Sequence, residues 1–313
     1  MILNPYLIII ILGLSLSLHQ LFHKIYLKKN LIDQVNDRSS HISSATRSGG
    51  LSVFVTIFLV SLYYYISGYT IFDFSIIIPL ALLTFVGLYD DMYNVDFKLK
   101  FVFQIIAAKI IVDNGLIIDN LHGVMGLYEI NRIIANLLTI FIIVAIINAI
   151  NFIDGIDGLA LTIVLIFICL FEGLSKEISP FINFSYLLIL SSILLFYFNF
   201  RKKNKVFLGD SGSHLFGGIV SVYTIFILSQ GYTIKEDFDI HKILFVISIL
   251  SYPIIDIIRV VFLRIVNKKS PFEADKNHIH HLILKKTKSH LITTISIATF
   301  TIVVLILFQL SNL

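Results

Sequence analysis

The sequence predicts an all-α polytopic membrane protein of about ten transmembrane helices, with its polar site on the cytoplasmic face. Three observations point there. Of 313 residues, 57% are hydrophobic and 14% charged, with a mean hydropathy of +0.90, whereas a soluble domain carries roughly 25% charged residues. Apolar runs close to the ~20 residues that cross a bilayer recur along the whole length. Nearly all the dense polar clusters fall in five segments between those runs.

The spans are expected at about 2 to 22, 49 to 68, 73 to 89, 99 to 118, 132 to 150, 158 to 175, 181 to 199, 212 to 230, 241 to 263 and 291 to 310. The first has no basic residue before Lys24 and no small-residue cleavage site, so it reads as a retained span rather than a signal peptide. No low-complexity linker or internal repeat interrupts residues 1–313, which makes one multi-pass domain the economical description.

Basic residues are divided unevenly between the two sides. The loops around 23 to 48, 90 to 100, 148 to 158, 200 to 210 and 264 to 290 contain Lys24, Lys28, Lys29, Arg38, Arg47, Lys98, Lys100, the run Arg201, Lys202, Lys203 and Lys205, and Arg264 to Lys288. The opposite side holds Arg132, Lys176, Lys235 and Lys242. The positive-inside rule makes the first set cytoplasmic and places both termini outside. Lipid is the expected surroundings, and no nucleic-acid partner is expected. The single cysteine, Cys169, lies within an apolar run and reads as an inert core thiol.

Five clusters carry the polar chemistry. GLYDDMYNVDFKLKFVFQ, residues 87 to 104, ends one span with Asp90 and Asp91 and opens the next with Lys100 and Gln104, which share a helix face. Adjacent acids alone describe a solvated helix end, but carboxylates beside an ammonium suit a phosphate and a divalent cation together. NAINFIDGIDGLA, residues 148 to 160, places Asn151, Asp154 and Asp157 at three-residue spacing, on one side if the segment is helical. These acids are expected at a water interface or in a cavity, because a charge at the bilayer centre costs about 2.5–3.5 kcal/mol.

VFLGDSGSHLFGG, residues 206 to 218, sets Asp210 between Gly209 and Gly212 at the mouth of a span, a candidate ligand for a hard cation. Ser211 and Ser213 can equally cap that helix, and the basic run before it reads as topological signal and headgroup contact. SPFEADKNHIHHLIL, residues 270 to 284, contributes His278, His280 and His281 for a metal or a phosphate. No cysteine or HExxH pattern completes a zinc site, and with so many aspartates on that face magnesium with phosphate is the better match. DQVNDRSSHISSATRSGG, residues 33 to 50, adds Asp33, Arg38, His41 and Arg47, the arginines as donors to anions.

In this order the clusters resemble the polyprenyl-phosphate N-acetylhexosamine-1-phosphate transferases, from about Asp33 to Leu284. The resemblance implies an enzyme that moves an N-acetylhexosamine 1-phosphate from a UDP-sugar to undecaprenyl or another polyprenyl phosphate and releases UMP. Such a step opens a cell-surface polysaccharide or cell-wall glycan pathway at the plasma membrane. It further implies magnesium, or manganese in its place, held by Asp210 and Asp91, with Asp90, Asp91 and Asp210 as the catalytic acids. Lys100, Arg47, Asn151, Asp154, Asp157, Phe207, His278, His280 and His281 would hold substrate, Phe207 by stacking on uracil. A homodimer is compatible with this reading. The first loop departs from the family, with Val35, Ser44 and Thr46 where relatives often have prolines and Ser39 where they have lysine.

Two other readings remain open at this point. One is the related phospho-N-acetylmuramoyl-pentapeptide transferase, whose branch the DKNHIHH stretch and Arg47 before two glycines do not resemble. The other is an ion-coupled transporter, which should place acids near the midplane. Asp256 and Arg259, about one turn apart within a span, are expected simply to pair with each other.

Overall fold

A computed structural model describes residues 5–33, 45–229, 232–235, 241–268, 270 and 277–310. Arg38, His41 and Lys276, and the variant positions Val35, Ser39 and Ser44, lie outside the described residues. The described residues are mostly helical (76%). Among the described residues, seven helices are long and apolar enough to cross a membrane: α1 (Pro5–Lys28), α2 (Gly49–Ile66), α3 (Ile77–Tyr93, with its lead-in from Phe74), α5 (Arg132–Ile153), α7 (Ile182–Phe200), α8 (Gly209–Leu228) and α12 (His290–Leu310). A bent pair, α9 (Lys242–Ile249) and α10 (Ser251–Val266), makes an eighth if counted as one span. The protein is therefore a multi-pass membrane protein.

The expected fourth and sixth spans are helices too, α4 (Phe97–Asp113) and α6 (Leu159–Leu174), of 17 and 16 residues. At 1.5 Å per residue they reach roughly 25 Å, somewhat less than the ~30 Å hydrocarbon core. The ninth stretch does not run straight, but turns by 71° at Leu250. Pro253 sits in the first turn of α10, where its missing N–H and fixed φ are tolerated. A short amphipathic helix, α11 (Ile279–Thr287), lies in what reads from sequence as a loop.

Burial orders the helices. In α8 94% of the span is buried, against 22% in α1 and 28% in α12, so α8 runs through the centre and the terminal helices lie at the periphery. Small residues make this possible, because between helices in lipid close backbone approach replaces the hydrophobic drive available in water. A Cβ added to Gly50 of α2 would lie 2.1 Å from the Gly212 Cα, and one on Gly87 of α3 would lie 2.2 Å from the Asp210 carbonyl oxygen. Both helices therefore press their backbones onto the first turn of α8. Cys169, expected in the core, is on the exposed side of α6, because the buried stripe of that helix passes through Ile163, Phe167 and Phe171 instead.

The bundle also contains a feature that the all-α expectation omits. Three two-residue strands, β1 (Ile32–Asp33), β2 (Ala45–Thr46) and β3 (Lys205–Val206), form a sheet in that order, antiparallel then parallel. The pairing continues past the strands, with Phe207 N–H donating to the Thr46 carbonyl at 2.8 Å and Gly49 N–H to the Phe207 carbonyl at 3.0 Å. Such short pieces carry no readable two-residue alternation. Their effect is to fasten the loop bearing Arg47 to the loop that leads into Asp210.

Candidate active site

The acidic pair at the end of α3 divides its work. Asn94 adopts a left-handed conformation (φ 49°) and closes the helix, its N–H donating to the Asp90 carbonyl. The Asp90 carboxylate accepts the Val95 N–H at 2.7 Å through one oxygen and the Lys100 ammonium at 2.7 Å through the other. Asp91 turns inward. Its two oxygens accept the backbone N–H groups of Asp210 and Ser211, each at 3.0 Å, and Arg47 approaches to 3.7 Å.

Asp210 is held from several sides. Its Oδ1 accepts from Asn151 Nδ2 at 2.9 Å, and the same amide donates to Ser213 Oγ at 2.7 Å. The Asp90 and Asp210 carboxyl groups lie within hydrogen-bonding reach of one another. One turn along α8, His214 Nδ1 donates to the Asp210 carbonyl at 2.8 Å. Its Nε2 is therefore an acceptor, and Gln104 Nε2 lies 3.2 Å from it. Gln104 in turn is bonded to Asn148, so α4, α5 and α8 share one buried polar network beneath the acids.

The Asn151, Asp154 and Asp157 stripe does not survive as a helical face. α5 ends at Ile153 and the chain turns through Gly155 and Gly158, which sends the three side chains in different directions. Asn151 goes to Asp210. Asp154 is half-buried, and burial, followed by the charges of Asp210, Asp91 and Asp157, pushes its carboxyl well above the usual range despite Arg47. Asp157 instead accepts from Lys205 at 2.5 Å and faces His290 at 3.2 Å. Lys205, expected as headgroup contact, is thus a buried ion partner that also sits 5.1 Å above the Phe207 ring centroid.

Arg47 bridges Asp33 at 3.2 Å and Asp91. Burial disfavours its charge, but Asp33, Asp91 and Asp210 outweigh that, and the guanidinium pKa is raised. Ser211 and Ser213 do not cap α8: that helix begins at Gly209, its N-cap residue Leu208 has no side chain that can accept, and Asp91 supplies the acceptor instead.

The histidines close the opposite wall. A Cβ on Gly155 would lie 2.8 Å from His280 Nε2 and 3.1 Å from His281 Cε1, so the α5–α6 turn and α11 face each other directly. Burial first, then His281 and His278, lowers the His280 pKa well below its usual value, which keeps that ring neutral. His278 donates from Nδ1 to Asp256 Oδ2 at 2.6 Å. The expected Asp256–Arg259 pair is therefore replaced: Arg259 donates to the Asn277 carbonyl at 2.6 Å. Asp256 and Arg259 lie three residues apart on α10, yet the chain returning through α11 offers Asp256 a nearer partner.

All five clusters thus meet at one end of the bundle. The residues missed in the sequence are Tyr252, Asp256, Asn148, His214 and His290. Asp256 was visible as an acid in an apolar run, and Tyr252, four residues before it, shares its helix face; the other three gave no signal apart from their polarity. Among the described residues, one group of three His or acid ligand atoms lies within 4.8 Å, and it is Asp256, His278 and His280. Its shortest separation, 2.6 Å, is a hydrogen-bond length.

Residues 73–228, which include Asp90, Asp91, Asn151, Asp154, Asp157 and Asp210, match the model of glycosyl transferase family 4. The chain is 31% identical to a probable undecaprenyl-phosphate N-acetylglucosaminyl 1-phosphate transferase of Bacillus subtilis, over 85% of this chain and 73% of that protein. It is 30% identical to a decaprenyl-phosphate N-acetylglucosaminephosphotransferase of Mycobacterium leprae, over 81% and 70%. To an undecaprenyl-phosphate alpha-N-acetylglucosaminyl 1-phosphate transferase of Pasteurella multocida it is 32% identical, over 89% and 78%. The chain belongs to glycosyl transferase family 4, among the polyprenyl-phosphate N-acetylhexosamine-1-phosphate transferases that its motif order resembles.

Proposed function

We propose that this protein transfers an N-acetylhexosamine 1-phosphate from a UDP-sugar to a polyprenyl phosphate at the cytoplasmic face of the plasma membrane. The observation that carries this reading is the meeting of Asp90, Asp91, Asp154 and Asp210 with Lys100, Arg47 and the α11 histidines at one end of a membrane bundle. The relatives are named for N-acetylglucosamine, which favours it as the donor sugar. All ten apolar stretches then serve as spans of one domain, with the basic loops inside.

An oxygen of the acceptor phosphate attacks the β-phosphorus of the UDP-sugar. The bond from that phosphorus to the bridging oxygen breaks, and UMP leaves with the electron pair. A phosphate monoester has a second pKa near 6, so the acceptor is mostly a dianion at neutral pH and needs little help from a base. Bringing two anions together is the harder task. Lys100 and Arg47 lower that repulsion at the acid wall, while His280 and His281 face the donor diphosphate from α11. Asp90 holds Lys100 toward the acceptor rather than removing a proton.

Magnesium fits the donor set. Asp210, Asp90 and the Asn151 amide offer hard oxygens, and two carboxyl groups in hydrogen-bonding reach of one another favour a cation between them. Asp210 is the principal ligand in this proposal. Asp91, whose oxygens both accept backbone N–H groups, would act chiefly by fixing Asp210, with its remaining lone pairs available to help hold the ion. When bound, the ion offsets phosphate charge and stabilises the departing UMP.

Purified protein in detergent, given undecaprenyl phosphate, magnesium and a panel of UDP-N-acetylhexosamines, is expected to release UMP and form a lipid-linked sugar. Chelation and Asp210→Asn should each abolish both products. Folded protein that turns over none of the donors would overturn the reading.

A further inference from the structure

Behind the histidines stand two buried groups that the proposed reaction does not use. Tyr252 and Asp256 are one turn apart on the same face of α10, 2% and 1% exposed. Tyr252 Oη lies 2.8 Å from His280 Nδ1. Asp256 accepts from His278 Nδ1 through one oxygen and from the Ile279 backbone N–H at 2.7 Å through the other, closing the N-terminus of α11 from a neighbouring helix. The His278 ring is stacked on His280, with centroids 5.3 Å apart and planes within 16°.

The tautomer of His280 follows from donor accounting. A neutral imidazole carries one proton. If that proton were on Nδ1, the Tyr252 oxygen would accept it, and the Tyr252 O–H would be left buried without an acceptor among the described residues. With the hydroxyl donating to Nδ1, its oxygen remains free for the backbone N–H of His280, which is directed at it. The ring proton then sits on Nε2. That atom is fully buried and has no partner among the described residues, and it faces the space beside Gly155. Burying an N–H of this kind without a partner is unfavourable, and a ligand acceptor would remove that cost.

Resting on the proposed transfer reaction, we propose that Tyr252 is a positioning residue. Its hydroxyl donates to His280 Nδ1 and so presents Nε2–H, across Gly155, to an anionic oxygen of the donor diphosphate. Asp256 supports this arrangement by fixing the His278 ring and the start of α11 against which His280 stacks. A glycine at 155 is needed because any side chain there would occupy the ligand oxygen's place.

The test uses the full-length protein in detergent with 15N-labelled histidine, His280→Gln to assign the ring signals, and Tyr252→Phe, which removes one oxygen. In the wild type the His280 proton is expected on Nε2. In Tyr252→Phe the Nδ1 signal should shift, and KM for the UDP-sugar should rise about tenfold, as for loss of one hydrogen bond to a charged group, with kcat little changed. A wild-type proton on Nδ1 overturns the proposal, and that spectrum decides even if the variant does not fold. An unchanged KM in folded Tyr252→Phe overturns it too, as does a loss confined to kcat. Absence of UMP release from the wild type would instead count against the transfer reaction, leaving the tautomer result to stand by itself.

Discussion

Asp91 caps a helix to which it does not belong: its carboxylate accepts the N–H groups of Asp210 and Ser211, both at 3.0 Å. The first turn of any helix leaves N–H groups without intrahelical partners, and a negative charge there also meets the positive end of the helix dipole. α8 has no side-chain cap of its own. The acid therefore sets where Asp210 sits. Asp91→Asn keeps one acceptor but turns its NH2 toward the other of the two N–H donors and removes the charge, which should cost roughly 1.5–3 kcal/mol of stability. Thermal unfolding in detergent checks the cost, and turnover should fall further than stability does.

Gly87 lies where α3 crosses the first turn of α8. With an added Cβ 2.2 Å from the Asp210 carbonyl oxygen, backbone must move because no flexible side chain is there to yield. Gly87→Ala should destabilise by about 1–3 kcal/mol, as overpacking commonly does, and should impair turnover by displacing Asp210. An unfolding midpoint unchanged from the wild type would refute this account of the crossing.

Lys205 and Asp157 form a buried pair 48 positions apart in sequence, with side chains about a tenth exposed. Removing one partner leaves the other charge uncompensated, typically at about 3–5 kcal/mol. Lys205→Met alone should therefore be more harmful than Lys205→Met combined with Asp157→Asn. A double-mutant cycle on the unfolding free energy measures the coupling, and an additive result would show that the pair is not coupled.

Asp154 gives a pH signature. Its folded carboxyl is raised above the unfolded value of roughly 3.9, so its favourable contribution is present below that pH and is lost as pH climbs through the folded pKa. Asp154→Asn removes this dependence. In metal-free buffer the variant should gain stability relative to the wild type on going from about pH 4 to neutrality. Unfolding midpoints across that range test the sign.

The clusters legible in the sequence were those built from local pattern. GLYDDMY, NFIDGIDGLA, GDSGS and HIHH each announce polarity against apolar flanks, and the structure brings them to one end of the bundle. Asp157 shows where such reading stops: three-residue spacing placed it beside Asn151, but the helix ends at Ile153 and the turn delivers it to Lys205. Asp256 shows the same limit in reverse, since its sequence neighbour Arg259 was the obvious partner and His278, on another helix, is the actual one.

By itself the sequence determined that this chain lives in a membrane and carries acids, amides and histidines in a recognisable order, because hydropathy, span length and motif spacing are local properties. The tertiary structure decided which acid caps α8, which one is neutralised by Lys205 and that the His280 Nε2 is buried beside Gly155 without a partner among the described residues. Those outcomes depend on how closely helices approach at Gly50, Gly87 and Gly155, and on contacts between residues far apart in the chain. Distances of that kind are set by packing, in which each helix answers to all its neighbours at once.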